Sequence, residues 1–237
     1  MVSIIILAYQ NNYLTVRCLD SIQAHTKEKY ELIVVDNGSQ LELEQDRYPQ
    51  LKLIRNSFNQ GFARGCNQGA WVAEGEYLLF LNNDTIVTPD WLTSMVQVLE
   101  KPGQIGIVGS KLLFPDSGRI QHAGVIFINR LPGHIYYQQD PAQVPIEQET
   151  EYPAVTGACL LIWHHLFYRI GGFDPRFLNS YEDVDLCLKV RQLGYRVIYT
   201  PKSLVYHYGS RSPDRHRHDR RNLLLLLQKW KDCRLLE

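Results

Sequence analysis

The segment Asn179-Ser180-Tyr181-Glu182-Asp183-Val184-Asp185-Leu186 places three carboxylates within four residues. An apolar repeat of Leu186, Val190 and Leu193 follows, and Gly194 ends it. This spacing predicts a helix whose first turn carries Glu182, Asp183 and Asp185. The helix dipole favours acids there by roughly 0.3–1 kcal/mol each, so capping alone would account for them. A positioned carboxylate can also take the proton of a reacting hydroxyl. Two other segments put chemistry at strand ends. Leu81-Asn82-Asn83-Asp84-Thr85 sets an acid after an apolar run, and Val205-Tyr206-His207-Tyr208-Gly209 sets a histidine after another. A hard divalent cation takes oxygen ligands, commonly one or two carboxylates with phosphate oxygens. Asp84 suits that role. Imidazole suits such a cation less well, yet His207 can serve as a partner ligand. The plainer readings are a turn-forming Asp84 and a hydrogen-bonded core histidine. Together, the acids and the histidine point to a metal-assisted group transfer.

Other chemistries lack their parts. The stretch Gly61-Phe62-Ala63-Arg64-Gly65-Cys66-Asn67 does not follow G-x-G-x-x-G, and no G-x-x-x-x-G-K-[ST] occurs. A dinucleotide-dependent oxidoreductase and a P-loop ATPase are disfavoured. No G-x-S-x-G elbow supplies a serine nucleophile. With 25 Lys plus Arg against 25 Asp plus Glu, the formal charge is zero, which gives no electrostatic case for nucleic acid. Five scattered cysteines without a C-x-x-C pair fit a reduced, cytosolic setting and argue against structural zinc.

The elements that must position these residues are legible as periodicity. At 237 residues and 45% hydrophobic content, the chain suits one domain or two merged halves. Val2–Ala8 lacks a basic leader and is far too short to span a bilayer, so it reads as a strand buried on both faces and not as a signal peptide. A helix with Leu14, Cys18, Leu19 and Ile22 on one side follows. Strands are expected at Glu31–Val35, Leu51–Arg55 and Tyr77–Leu81, with helices at Gly61–Ala73 and Pro89–Leu99. Gly65 and Gly69 would weaken the first of these helices unless close backbone approach needs them. This βαβα order predicts a parallel sheet with helices on both faces. In the second half, Ile105–Ser110, Val125–Ile128, Val155–Ile162 and Arg196–Tyr199 read as strands. Trp163–Ile170 and Arg220–Trp230 read as helices, and Leu131–Thr150 as a long binding loop or lid. With no linker visible, the halves are expected to share one sheet. Ligands of open α/β sheets bind at the carboxyl ends of strands. There, Tyr9 after Ala8 could pack beside a nucleobase, and Asp36 could accept an N–H from a pyrimidine or simply form a turn.

Taken together, these motifs resemble the inverting glycosyltransferases of family 2, with the GT-A fold, from Val2 to about Ser210. Ser3–Tyr9 is similar to the opening strand and base-contacting loop, and Val34–Ser39 to the segment whose acid reads the base. Asn59-Gln60-Gly61-Phe62 through Asn67-Gln68-Gly69 resembles the family's N-x-G…N-x-G helix, and Leu81–Asp84 its D-x-D metal motif. Thr156-Gly157-Ala158, Gly171–Asp174 with Glu182–Asp185, and His207-Tyr208-Gly209 match its sugar-pocket, acceptor-side and metal-histidine segments. The metal motif departs in carrying one acid, Asn82-Asn83-Asp84, a version found in members resembling bacterial rhamnosyltransferases. The Arg that many relatives carry just before the helix asparagine is Cys66, with Arg64 nearby.

The resemblance implies a GT-A domain made of a mostly parallel, Rossmann-like sheet flanked by helices and merged with a smaller acceptor-side half. Its parts would be a nucleotide-sugar half at 1–104, an acceptor half at 105–210 and a basic C-terminal segment with a helix at 211–237. Ala8, Tyr9, Asp36, Asn59, Gly61, Asn67, Asn82 and Asn83 would hold the donor, a UDP- or dTDP-sugar. Asp84 and His207 would bind Mn²⁺ or Mg²⁺, and Asp183 would be the general base with Glu182 supporting it. The acceptor would be a glycan or lipid-linked hydroxyl. The expected setting is cytoplasmic; the basic stretch Arg211–Arg221 reads either as a solvated loop before a helix packed on the domain or as a peripheral contact at the inner face of the membrane. Two other readings stand beside this one. A nucleotidyltransferase would need a Gly-rich, basic loop where Ala8-Tyr9-Gln10-Asn11-Asn12 lies. A non-catalytic nucleotide- or glycan-binding module would fit the single-acid motif but leaves Glu182-Asp183 without a use.

Overall fold

The apolar run Val2–Ala8 forms strand β1, and its alternation sets up the layers. Ile5 enters one apolar layer, while Ile4 and Ile6 enter the other. Successive side chains of a strand leave opposite faces, so a fully buried strand feeds two cores. The computed structural model describes residues 1–43, 47–49, 51–209 and 217–233. β1 pairs in parallel with β2 (Tyr30–Asn37) and β4 (Tyr77–Asn82), and β3 (Leu51–Asn56) lies beyond β2. Helices α1 (Asn12–His25) and α2 (Phe62–Trp71) make the crossovers.

The second half continues the same sheet. β11 (Cys159–Trp163) runs antiparallel to both β4 and β6 (Ile105–Leu113), and β12 (Arg196–His207) runs parallel to β6. β5 (Thr85–Val87) pairs with β12, β7 (Ile120–His122) with β6, and β10 (Thr150–Glu151) ends one edge. The halves therefore share one ten-stranded sheet, with β3 at its other edge. α1 and α3 (Trp91–Leu99) cover one face through Leu19, Ile22, Trp91 and Met95. α2, α4 (His164–Arg169), α5 (Glu182–Gln192) and α6 (Asp219–Lys229) cover the other through Cys66, Phe167, Leu186 and Leu226. The glycines of α2 have a packing reason: a Cβ on Gly65 would lie 2.2 Å from Leu7 Cδ1, and one on Gly69 2.5 Å from Ile5 Cγ2. A larger residue at either position would have to displace the Leu7 or Ile5 side chain.

Three expectations differ in detail. The stretch 131–150 is not one loop. It opens with β9 (Leu131–His134), which closes a hairpin with β8 (Val125–Ile128), and it carries a 3₁₀ turn at Pro141–Gln143. The Val155 strand begins only at Cys159, which frees residues 155–158 as a loop. Arg196–Tyr199 and the His207 segment are one strand, β12. Residues 210–216 and 234–237 lie outside the described residues, and with them most of the basic stretch expected at a membrane surface. Among the described residues, no helix is long and apolar enough to cross a membrane.

A buried ion network fastens α6 to α5. Lys229 Nζ lies 2.8 Å from Asp174 Oδ2 and 2.8 Å from Asp185 Oδ1. Lys189 Nζ sits 3.3 Å from Asp185 Oδ2, and Trp230 Nε1 donates to Asp185 Oδ1 at 2.9 Å. Asp185 is fully buried. Removing one partner from such a cluster leaves the other charges uncompensated, so Asp185→Ala should cost about 3 kcal/mol in denaturant unfolding. Hydrogen bonds from Arg176, helped by Lys229 and opposed by burial, hold the Asp174 carboxyl well below the usual carboxylate range. A depressed carboxyl stabilises the fold above its unfolded value, about 3.9, and loses that contribution as pH falls below it. Acid titration of stability should therefore be shallower in Asp174→Asn than in the parent chain.

Candidate active site

The carboxyl ends of β1, β2 and β4, the start of α5 and the end of β12 surround one cleft of about 970 Å³. Backbone pairing assembles its centre. Antiparallel pairing of β12 with β5 sets His207 opposite Thr85, and the Tyr208 N–H donates to the Asp84 carbonyl at 3.0 Å. His207 Nε2 thereby lies 3.0 Å from Asp84 Oδ1 and 3.1 Å from Asn82 Nδ2, across 123 and 125 residues of chain. Gln121 fixes the ring: its amide nitrogen donates to the His207 carbonyl at 3.2 Å, so its Oε1 must accept from His207 Nδ1. With Nδ1 carrying that proton, Nε2 and Asp84 Oδ1 both offer lone pairs to one point, which a proton or a cation reconciles. Burial alone would raise the Asp84 carboxyl; positive charge and hydrogen bonding at His207, with backbone N–H groups, outweigh it and hold the carboxyl below its ordinary value. Asn83 also reaches the cleft, but its amide donates to Thr15 Oγ1 at 2.9 Å and ties the Asn82–Asp84 segment to α1.

At one end of the cleft stand Tyr9, Asn37, Asn59, Gln60 and Gly61. Asn37 Nδ2 donates to Asn59 Oδ1 at 2.8 Å, and that oxygen also accepts the Gly61 N–H at 2.9 Å. Gly61 has φ +86°, and a Cβ there would lie 2.8 Å from the Leu178 carbonyl, so only glycine serves. Three residues expected at the donor are not on this wall. Ala8 is buried in the β1 ladder. Asn67 clamps Phe173, donating to its carbonyl at 2.8 Å and accepting its N–H at 3.0 Å. Asp36 is 2% exposed. It accepts from the Ser39 N–H and Leu41 N–H, both at 2.8 Å, from Ser39 Oγ at 2.6 Å and from Arg55 at 3.1 Å. Burial works against those partners, which still keep the Asp36 carboxyl below its ordinary value. The neighbour Asn37 faces the cleft instead. Arg64 is exposed and does not line it.

The three acids of the opening motif part company. Ser180 and Tyr181 hold φ of +105° and +67°, which turns the chain sharply into α5. Glu182 and Asp183 then line the cleft. Asp183 Oδ2 accepts the Gly157 N–H and Oδ1 the Val184 N–H, each at 2.8 Å. Each oxygen keeps a lone pair, so the carboxylate is aimed but still able to take a proton. Two residues on, about 200° around the helix, Asp185 points into the core instead.

The far end of the cleft holds residues that carry no motif: Phe114, Gln121, His122, His134 and Tyr137. His122 Nε2 accepts the Thr156 N–H at 3.4 Å, so its Nδ1–H donates to His134 Nδ1 at 2.8 Å. Burial, and then the charge of His134, push His122 well below the ordinary histidine value, so it is neutral near pH 7.

The profile of glycosyl transferase family 2 matches residues 3–151, more than half of the chain. The chain belongs to glycosyl transferase family 2. Among relatives of this family 2 domain, protein y4gI of Sinorhizobium fredii is 34% identical over 98% of the chain, and O-antigen biosynthesis protein RfbC of Myxococcus xanthus 35% identical over 82%. The chain spans only 28% and 16% of their lengths. Rhamnosyltransferase WbbL of Escherichia coli K12 is 28% identical over 97% of the chain and 89% of its own length. The crystal structure of GalNAc-T7 with UDP, GalNAc and Mn²⁺ superposes with a TM-score of 0.76, 19% identity, and coverage of 98% of this chain and 48% of that one. The mannosyltransferase PcManGT of Pyrobaculum calidifontis, in complex with GDP-Man and Mn²⁺, gives 0.67 and 20%, with coverage of 94% and 61%. The family 2 domain has the GT-A fold.

Gly157 offers a direct check on the geometry of the site. A Cβ at this position would sit 3.2 Å from Asp183 Cβ. A methyl there would press on the Asp183 side chain, whose Oδ2 the Gly157 N–H holds at 2.8 Å. Gly157→Ala should lower turnover by about tenfold while shifting the thermal midpoint little, as read by nucleotide release and calorimetry.

Proposed function

We propose that this domain transfers a sugar, with inversion, from a UDP- or dTDP-sugar to a hydroxyl of a glycan or lipid-linked acceptor. One observation carries the reading. The Asp84–His207 pair, which joins the two halves, and the Asp183 carboxylate at the start of α5 share one cleft whose other end is built of amides suited to a nucleotide. In this reading Asp183 takes the proton of the acceptor hydroxyl while that oxygen attacks the anomeric carbon from the face opposite the diphosphate. The new C–O bond forms as the bond to the diphosphate breaks, and its electron pair leaves with the nucleoside diphosphate. No covalent sugar–enzyme bond is required. Glu182, 6% exposed beside Asp183, supports the base or contacts the acceptor.

The donor set at Asp84 and His207 fits a divalent cation: one carboxylate oxygen and one imidazole lone pair converge, and Gln121 orients the ring from behind. Bound there, Mn²⁺ or Mg²⁺ would supply Lewis-acid compensation for the charge of the departing diphosphate. The chain's own part is to hold Asp84 ionised and His207 turned outward. Tyr9, Asn37 and Asn59 would bind the nucleotide, with Asn82 beside the diphosphate. The names of RfbC and WbbL support a bacterial-type surface polysaccharide as the product.

Asp183→Asn should lower transfer by about 10²–10⁴-fold while nucleotide binding persists; near-normal turnover would remove Asp183 as the base. Calorimetric titration of UDP and dTDP, each with and without Mn²⁺, tests the donor side. Metal-dependent binding should weaken in Asp84→Ala, and unchanged affinity there would move the cation elsewhere.

A further inference from the structure

We infer that Tyr137, backed by Phe114 and His134, forms a stacking platform for a sugar ring of the acceptor. This rests on the glycosyl-transfer reading and deepens it, because it assigns the acceptor's reacting end to a pyranose.

The three rings form a continuous aromatic wall at the end of the cleft away from Asn37 and Asn59. Phe114 meets Tyr137 edge to face at 5.8 Å and 73°, and His134 leans against Tyr137 at 6.2 Å and 37°. Tyr137 is 50% exposed, a large aromatic face left open inside a cleft. Its backbone is placed at a cost. Tyr136 and Gln138, on either side, hold φ of +55° and +63°, a region that residues with a Cβ rarely adopt. Such strain persists only where surroundings over-determine it. Here the Gln138 N–H donates to the Ile120 carbonyl at 2.7 Å, the Ile120 N–H to the Gln139 carbonyl at 3.0 Å, and Arg119 to the Gln138 carbonyl at 2.8 Å. The turn is riveted to β7, and Tyr137 is its outward product.

The chemistry of the wall selects its occupant. An aromatic face is electron-rich at its centre. One side of a pyranose ring presents several C–H groups that carry slight positive charge, while its hydroxyls radiate at the rim. The cleft offers the matching pattern, an exposed ring face together with the polar side chains of His134, Gln138 and Gln121. An acyl chain would need an enclosed apolar groove instead. The platform also belongs to the side of the site that a nucleotide at Asn37 and Asn59 leaves open. It is reached from Asp84–His207 through Gln121, whose amide holds His207 and whose neighbour His122 holds His134.

The test is saturation-transfer NMR on the full chain with Mn²⁺ and UDP or dTDP, using methyl glycosides of glucose, galactose, rhamnose and N-acetylglucosamine as probes. Saturation should reach the ring C–H protons of at least one glycoside, persist in Tyr137→Phe, and fall by about tenfold in Tyr137→Ala and Tyr137→Leu. The leucine variant keeps apolar bulk without a ring face, so it decides the matter if the alanine variant is poorly folded. Absence of transfer to every glycoside in the parent chain, or undiminished transfer in Tyr137→Leu, overturns the platform. Calorimetry of nucleotide binding on the same sample separates the two readings. Nucleotide bound without sugar contact defeats only this inference. No nucleotide bound defeats the donor site, and the acceptor role with it.

Discussion

The long strand β12 is the member on which the site depends. It pairs with β6 from Arg196 to Tyr206 and with β5 over Val205–His207, so one strand ties the second half of the sheet to the segment that follows β4. It does so through a register shift between Thr200 and Leu204, where Ser203 turns inward and meets Ser110 at 2.7 Å. Beyond that irregularity Leu204–Tyr206 still pair with Lys111–Leu113 of β6, while Val205–His207 also take up β5 on the other edge. A bulged strand bends and re-aims the residues beyond the bulge. In β12 the residue re-aimed is His207. The carboxylate–imidazole pair is thus a product of backbone ladders, and the side chains only complete it.

A second support acts on the opposite wall. α5 enters the cleft through two residues in left-handed conformation, an arrangement with little intrinsic stability. It is secured from both sides of its first turn. Asp183 accepts a backbone N–H from the 155–158 loop, and Asp185 is gripped by Lys189, Lys229 and Trp230. The C-terminal helix therefore contributes to the site without lining its centre, because it holds the base of α5 in place. α6 is itself held from the far side, where Arg130 on the turn of the β8–β9 hairpin donates to the Trp230 and Lys231 carbonyls.

Much of the framework was legible from apolar runs and turn residues. Strands β1 to β4 and helices α1, α2 and α3 followed from periodicity, since buried parallel strands are nearly continuous hydrophobic runs. Short pieces escaped. β5, β7 and β10 are two or three residues long, too brief to carry a period. Residues 155–158, Val-Thr-Gly-Ala, run directly into an apolar strand, yet they stay out of the ladder and lend an N–H to Asp183. That Asp84, Asp183 and His207 meet in one candidate cleft was legible, because their types and strand-end or helix-start positions carry a physical signal. Helical phase could have separated Asp183 from Asp185, as residues two apart face nearly opposite ways. Nothing local distinguishes Asp36 from Asn37 as the side chain facing the cleft. That depends on Ser39, Leu41 and Arg55 claiming the carboxylate first. Gln121 and the His122–His134 pair lie in no motif; only the hairpin and β7 bring them there.

β3 ends the sheet beside β2, with one row of backbone groups facing outward. A flat apolar edge of this kind invites strand-to-strand association between molecules. Leu51, Leu53 and Ile54 supply the apolar content, but Lys52 and Arg55 interrupt it. Lys52 bridges Glu31 and Glu74 at 2.8 and 2.6 Å, and Arg55 reaches back to Asp36. The two cations therefore act as gatekeepers against self-association while they neutralise acids of the inner strands. An edge that carries charge resists templated aggregation, and here the Arg55 that supplies part of that charge is the same residue that holds Asp36 in its turn.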